Sequence, residues 1–165
     1  MLHDGHAPVY SRLLRPWLGA ERPTLAEFGI LRGTGLAIWR DLFQEGRVLG
    51  FDIDLAPYQA ARPGLKRRGA FRRSSPEVFE YDQLQDGSII PTEALRGETL
   101  DIAIDDGLHS VVSIVTTWRS VRPHLSPRFA YFVEDCSGLL AQYGEEFAGF
   151  DTHSAGMMTV ISGGI

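Results

Sequence analysis

Two short clusters of carboxylates hold the groups in this sequence best suited to chemistry. Asp105-Asp106-Gly107-Leu108-His109 closes one apolar run and Glu134-Asp135 closes another. Asp106, Glu134 and Asp135 would repel one another in a shared cleft unless a cation or protons intervened. Oxygen donors suit magnesium, calcium or manganese better than zinc. Magnesium in particular is held by few carboxylates and keeps positions open for water or a substrate oxygen. These three residues are the candidate metal ligands, and the bound ion would lower the pKa of a substrate hydroxyl. His109, three residues past Asp106, is the candidate general base for that proton, so His109 and Asp106 form the candidate reacting centre. Each residue also has a plain alternative. Asp105 and Asp106 could cap the helix expected at Val111, Glu134-Asp135 could cap the next helical turn, and His109 could lie on the surface. His3, His6, His124 and His153 have no comparable setting and read as structural or surface residues.

A second constellation lies upstream. Glu27-Phe28-Gly29-Ile30-Leu31-Arg32-Gly33-Thr34-Gly35 puts three glycines between an expected strand and an expected helix. Glycine lets a turn adopt positive φ and lets the backbone approach a ligand closely, while the helix start offers free N–H groups. The next strand ends at Asp52, close to the roughly twenty residues past the turn at which a carboxylate can accept both hydroxyls of a ribose. Asp52 could equally be a helix cap. The order G-x-x-x-G-x-G is not the G-x-G-x-x-G of dinucleotide sites.

The elements that must position these groups alternate. Apolar runs at Thr24–Gly29, Val48–Asp54, Leu100–Asp106 and Phe129–Asp135 read as strands, with a shorter one near Val78–Tyr81. Helical spacing is expected over Pro8–Leu18, Leu36–Phe43, Leu55–Arg68 with Pro63 interrupting it, and Val111–Val121 closed by Pro123. Asp86-Gly87-Ser88 signals a turn or helix start. Met157–Ile161 is expected as a last strand in a short antiparallel C-terminal element. Strand–helix alternation predicts an α/β fold, a mostly parallel central sheet flanked by helices. Ligands of such a sheet bind outside the carboxyl ends of its strands, where the order reverses. Glycine turn, Asp52, Asp106 and Glu134-Asp135 would share that rim.

The 165 residues fit one compact domain, 1–165, with one core. Net charge is −5, which weighs against nucleic acid as main partner; the Lys66, Arg67, Arg72 and Arg73 cluster reads as a solvated face. The lone Cys136 excludes an intrachain disulfide and suits a reducing cytoplasm. No apolar run is long enough to cross a bilayer, and the polar N-terminus lacks a signal-peptide core, so a cytoplasmic location is expected.

The E-x-G-x-x-x-G turn followed by Val48-Leu49-Gly50-Phe51-Asp52 resembles motif I and the ribose acid of class I S-adenosylmethionine-dependent methyltransferases, a Rossmann-like fold. Asp101-Ile102-Ala103-Ile104-Asp105-Asp106-Gly107-Leu108-His109-Ser110, then Tyr131-Phe132-Val133-Glu134-Asp135, resembles the metal-dependent sugar O-methyltransferases of the macrocin, mycinamicin and novobiocin type, and also the cephalosporin hydroxylase-like and rhamnosyl O-methyltransferase proteins. The resemblance spans roughly Leu25 to Asp135. It implies S-adenosylmethionine and Mg2+ as cofactors. Glu27, Gly29, Gly33, Gly35, Asp52 and Asp105 fall on the cofactor side, with Asp82 and Gln83 near the adenine. Asp106, Glu134 and Asp135 fall on the metal, and His109 is the base. Leu108 stands where these families usually have serine, and the turn lacks their glycine-glycine-serine. The chain is also shorter than the family, whose further N-terminal and lid segments bind the acceptor and build oligomers. The expected activity is O-methylation of a hydroxyl on a sugar or glycosylated small molecule of natural-product biosynthesis, with a homo-oligomer left open. The alternatives are a metal-dependent hydrolase on the same rim and a degenerate, non-catalytic methyltransferase-like domain.

Overall fold

A computed structural model describes residues 5–19, 22–85 and 92–165. Seven strands form one sheet: β1 (Thr24–Phe28), β2 (Arg47–Asp52), β3 (Glu77–Glu80), β4 (Leu100–Asp105), β5 (Leu125–Val133), β6 (Asp151–Ala155) and β7 (Met158–Gly163). Their order is β3-β2-β1-β4-β5-β7-β6. The first five are parallel, and β7 runs antiparallel to β5 and to β6. The helices are α1 (His6–Leu13), α2 (Thr34–Leu42), α3 (Ala56–Arg67), α4 (Thr92–Leu95), α5 (Val111–Val121) and α6 (Leu139–Tyr143). The α/β class, the parallel sheet and the antiparallel end are as the sequence predicts.

The sheet buries both faces, which explains its continuous apolar runs. Alternate residues of each strand serve different layers. Leu25, Ile102, Ile104 and Phe132 pack on one face with Tyr10 and Trp17 from the N-terminal segment and with Leu36 and Trp39 from α2. Ala26, Phe28, Ala103 and Tyr131 pack on the other face with Ile114 and Trp118 of α5 and with Phe147. No described helix is long and apolar enough to cross a membrane.

Four details depart from the sequence reading. The first helix ends at Leu13, and a 3-10 turn over Arg15–Trp17 follows, because Pro16 has no N–H to continue an α-helix. Pro63 does not interrupt α3. It lies on the exposed side, where water can satisfy the carbonyl that its ring leaves unbonded. β5 starts at Leu125 rather than Phe129, because a register shift opposite Leu100–Ile102 admits extra residues, Pro127 among them. β6 is an exposed, polar edge strand with no apolar alternation to betray it. Asp86-Gly87-Ser88 lies outside the described residues.

The hydrogen-bond ladder continues past the strand ends and fixes the rim. Gly29 N–H donates to Phe51 O, Tyr81 N–H to Asp52 O, Asp106 N–H to Phe28 O, and Glu134 N–H to Asp105 O, at 2.8–2.9 Å. The residues just after β1, β3, β4 and β5 are thereby aligned beside one another. The order reverses between β1 and β4, so the crevice opens where Gly29 faces Asp106.

Candidate active site

The glycine turn is packed against the protein's own groups. Gly29 has φ +89°, and a Cβ there would stand 2.3 Å from the Asp106 carbonyl oxygen. The turn after β1 therefore touches the turn after β4 backbone to backbone. Gly33 precedes α2 over the Tyr58 ring. Gly35 has the Glu27 carboxyl where a Cβ would sit, 1.9 Å from Oε1. Glu27 is thus buried under the start of α2, and its Oε2 has no hydrogen-bond partner. Burial pushes its carboxyl up to about 8. Trp39 opposes the shift, although its indole N–H does not reach a hydrogen-bond geometry.

Asp52 ties the turn to β2. Its Oδ2 accepts from the backbone N–H groups of Ile30 (2.9 Å) and Leu31 (2.8 Å), and Oδ1 accepts from Asp54 N–H at 3.2 Å. Each oxygen has two lone-pair directions, so Oδ1 keeps capacity for another donor.

Adjacent residues Asp105 and Asp106 have opposite fates. Asp105 is buried, with Oδ1 accepting from Gln83 Nε2 and Oδ2 from the Tyr131 hydroxyl, each at 2.8 Å. Its pKa is raised, first by burial, with the Gln83 and Tyr131 hydrogen bonds opposing. Gln83 also donates to Thr117 Oγ1 and accepts from Leu108 N–H through Oε1, the atom a Cβ on Gly107 would strike. Asp105 and Gln83 thus brace the turn that presents Asp106 and His109. Asp82 caps its own turn by accepting from Leu84 N–H.

Asp106, His109 and Asp135 each bring one ligand atom into a group whose members lie within 4.8 Å of one another. Asp106 is pushed up to about 6, chiefly by burial, then by Glu134 and Asp135, with His109 opposing. His109 donates Nδ1–H to the Glu134 carbonyl oxygen at 3.3 Å, since a carbonyl can only accept, and its Nε2 lies 3.9 Å from Asp106 Oδ1. His109 (φ +55°) and Asp135 (φ +51°) both hold left-handed backbone conformations that non-glycine residues seldom adopt. Such geometry persists where the surrounding fold imposes it, and it concentrates at functional sites.

Glu134 stands apart from that group. It is 2% exposed against 42% for the Asp135 side chain. Its Oε1 accepts from the Tyr10 hydroxyl at 2.5 Å and its Oε2 from His6 Nδ1 at 3.1 Å. Of the two readings open for His6, structural or surface, the structural one holds: it is 1% exposed, and its Nε2 lies 3.8 Å from Asp135 Oδ1. Nothing local in the sequence marks it. His6 and Tyr10 are one helical turn apart, but their partner is 128 and 124 residues away, respectively. Of the other histidines among the described residues, His153 bonds Arg12 at the surface and His124 sits in the turn before β5; His3 lies outside them.

No family model matches the chain. It is 28% identical over 103 residues to an L-olivosyl-oleandolide 3-O-methyltransferase of Streptomyces antibioticus, covering 62% of this chain and 23% of that protein. It is 27% identical over 135 residues to a demethylmacrocin O-methyltransferase of Streptomyces fradiae, covering 78% of this chain and 31% of that protein. Among solved structures, the MycE methyltransferase of the mycinamycin biosynthetic pathway, in complex with Mg and SAH, superposes with a TM-score of 0.73 at 21% identity, over 96% of this chain and 49% of that one. The chain thus spans about a quarter to a third of the curated relatives and about half of that structure. The likeness shows a shared fold, that of class I S-adenosylmethionine-dependent methyltransferases.

Proposed function

We propose that this domain is an S-adenosylmethionine-dependent O-methyltransferase that acts on a hydroxyl of a sugar or glycosylated small molecule, with a hard divalent cation such as Mg2+ beside the cofactor. The observation that carries the reading is the shared rim: the glycine turn and Asp52 on one side of the order reversal, and the Asp106–His109–Asp135 group on the other. The relatives' names, O-methyltransferases of olivosyl-oleandolide and demethylmacrocin, supply the acceptor class. A MycE structure that also contains mycinamycin VI fits the same class.

The donor set suits both groups. Asp52 Oδ1 retains capacity for a ribose hydroxyl. The partnerless Glu27 Oε2 lies under the start of α2, where the amino-acid end of the cofactor would sit. Leu31, Ile53, Leu84 and Leu108, each in the loop after one of the first four strands, are more than half exposed and offer apolar cover for a nucleoside. Asp106 and Asp135 present oxygen toward the crevice, and Glu134 adds charge from behind. A cation held there would lower the pKa of an acceptor hydroxyl.

Bound S-adenosylmethionine would supply an electrophilic methyl group to the acceptor oxygen, with S-adenosylhomocysteine as the leaving group, and His109 Nε2 would receive the acceptor proton. The Nδ1–H bond to the Glu134 carbonyl holds the tautomer that leaves Nε2 free to receive it. Asp105 and Gln83 keep the turn in register, so that much of the acceleration comes from holding oxygen and methyl in line.

Calorimetric titration with S-adenosylhomocysteine tests the reading. Micromolar binding that titrates one site per chain supports it. Absence of binding at millimolar concentration, with or without Mg2+, rejects it in favour of metal-assisted chemistry without a sulfonium or of a non-catalytic domain.

A further inference from the structure

The arginine cluster at the end of α3 has no part in the chemistry above. Residues 55–76 hold six of the chain's 16 Lys and Arg residues and none of its 21 Asp and Glu residues. Lys66 and Arg67 close α3, where cations suit the negative end of the helix dipole. That does not account for Arg72 and Arg73, which follow the turn at Gly69 and Phe71. Lys66, Arg67, Arg68 and Arg72 are exposed, and among the described residues no acid lies within salt-bridge distance of them. Arg73 meets Glu45 only at 3.8 Å.

The cluster borders a recess. α2 and α3 both start near the rim and run back from it, and a groove of about 430 Å³ lies between them. Ala37, Leu65 and Ala70 give it an apolar floor, while Arg68, Arg72 and Asp41 stand exposed along it. Ile38 and Leu42, one turn apart on α2 and each next in sequence to a lining residue, are 42% and 47% exposed. A lone exposed apolar residue is ordinary. A pair of them beside an apolar recess edged by unpaired arginines has the composition of a protein contact surface. The same features choose among anionic partners. Nucleic acid would need aromatic faces for its bases, and the aromatic residues of this stretch, Tyr58 and Phe71, are buried. A bilayer takes up apolar side chains that protrude, not a recessed floor. An amphipathic helix with carboxylates flanking an apolar stripe satisfies both the floor and the cations.

We infer that the groove between α2 and α3 is a docking site for an acidic amphipathic helix of a partner protein. Ile38, Leu42 and the groove floor take its apolar stripe, and Arg68 and Arg72 take its carboxylates. Because both helices run back from the rim, a partner seated there leaves the glycine turn and the Asp106–His109–Asp135 group open.

Fluorescence anisotropy of the full chain tests this with a labelled peptide of about 20 residues, leucines at helical spacing between flanking glutamates. Micromolar binding is expected. Arg68→Gln with Arg72→Gln should weaken it at least tenfold, and Ile38→Ser with Leu42→Ser at least fivefold, with far-UV circular dichroism unchanged. Arg119→Gln, on the exposed side of α5, should bind like wild type. No binding at millimolar peptide, or wild-type affinity in either double variant, overturns the proposal. So does an equal loss in Arg119→Gln, or equal binding of a peptide whose leucines are replaced by serine, since either leaves charge alone at work. Tighter binding of single-stranded oligouridylate or of phosphatidylglycerol vesicles overturns the class of partner. If the Arg68 variant does not fold, Arg72→Glu alone, on the loop after α3, must still weaken the peptide at least tenfold, and wild-type affinity there overturns the assignment.

Discussion

The two edges of the central sheet treat acids in opposite ways. At the edge where the parallel strands begin, Arg47 binds Glu77 in two-pronged fashion and also reaches Glu98, while Arg96 joins Glu77. Asp101 accepts from Thr24 N–H and from the Ser126 hydroxyl. The Glu77 pKa is lowered, first by its hydrogen bond to Arg47. At the edge where the strands end, among the described residues, no lysine or arginine lies within salt-bridge distance of Glu27, Asp105, Asp106 or Glu134, and burial raises the pKa of the first three. A cavity of about 640 Å³ opens at the first edge, lined by Arg40, Arg47, Glu77, Glu98 and Asp101. Its charges are largely satisfied by one another. One edge thus pairs its acids with arginines, whereas the other, among the described residues, holds acids with no lysine or arginine beside them.

The sharpest way to break this contrast is at the rim. Asp135→Asn or His109→Ala should lower methyl transfer about 10²- to 10⁴-fold, as removal of a general base or a metal ligand does, with far-UV circular dichroism unchanged. Activity within threefold of wild type in either variant would merge the two edges into one structural class.

Glu27 comes next. Its carboxyl binds a proton in the folded chain up to about pH 8, whereas in the unfolded chain it would lose that proton near pH 4.5. Between those values the folded state holds more protons than the unfolded state, so this group makes stability fall as pH rises, by an amount on the order of 5 kcal/mol when complete. Melting curves of Glu27→Gln against pH should flatten over that window and gain most near pH 8. A pH profile parallel to wild type would show that the buried carboxyl is not held protonated.

A paired substitution compares the edges directly. Arg47→Met should cost about 2 kcal/mol by removing its hydrogen bonds to Glu77, which keeps Arg96, and to the carbonyls of Ala94 and Leu95. Asp106→Asn should stabilise the metal-free protein by about 2 kcal/mol through relief of repulsion, while weakening Mn2+ binding. Urea denaturation of both variants decides, and the same sign for the two would end the distinction. The smallest effect is expected at Leu108→Ser, on an exposed loop: stability within about 0.5 kcal/mol of wild type, with only a few-fold change in S-adenosylhomocysteine affinity by calorimetry.

β1, β2, β4 and β5 were legible because each carries apolar side chains to two buried layers, and their ends marked Asp52, Asp106 and Glu134-Asp135, whereas the short, partly buried β3 was weakly signalled. β6 was illegible because an exposed edge strand is free to be polar, and the early start of β5 was hidden by Pro127 and its bulge. Within the site, neighbours in sequence divided by facing: Asp105 is enclosed between Gln83 and Tyr131, whereas Asp106 meets the crevice. Glu134 and Asp135 divide the same way. The resemblance named both pairs, but which member of each remains open to a ligand depends on partners that only the folded chain assembles. His6 and Tyr10 had no local signature, since a histidine and a tyrosine spaced four apart usually serve a helix face and nothing more.

The bond from α1 to the end of β5 has a consequence for synthesis. The first helix leaves the ribosome more than a hundred residues before the acid that its imidazole and phenol must meet. Such distant closures form late, because the loop between them must first be ordered. A nascent chain halted before Glu134 would already carry the glycine turn but could not gather its carboxylates, so the acidic rim is completed only when nearly all of this domain has been made.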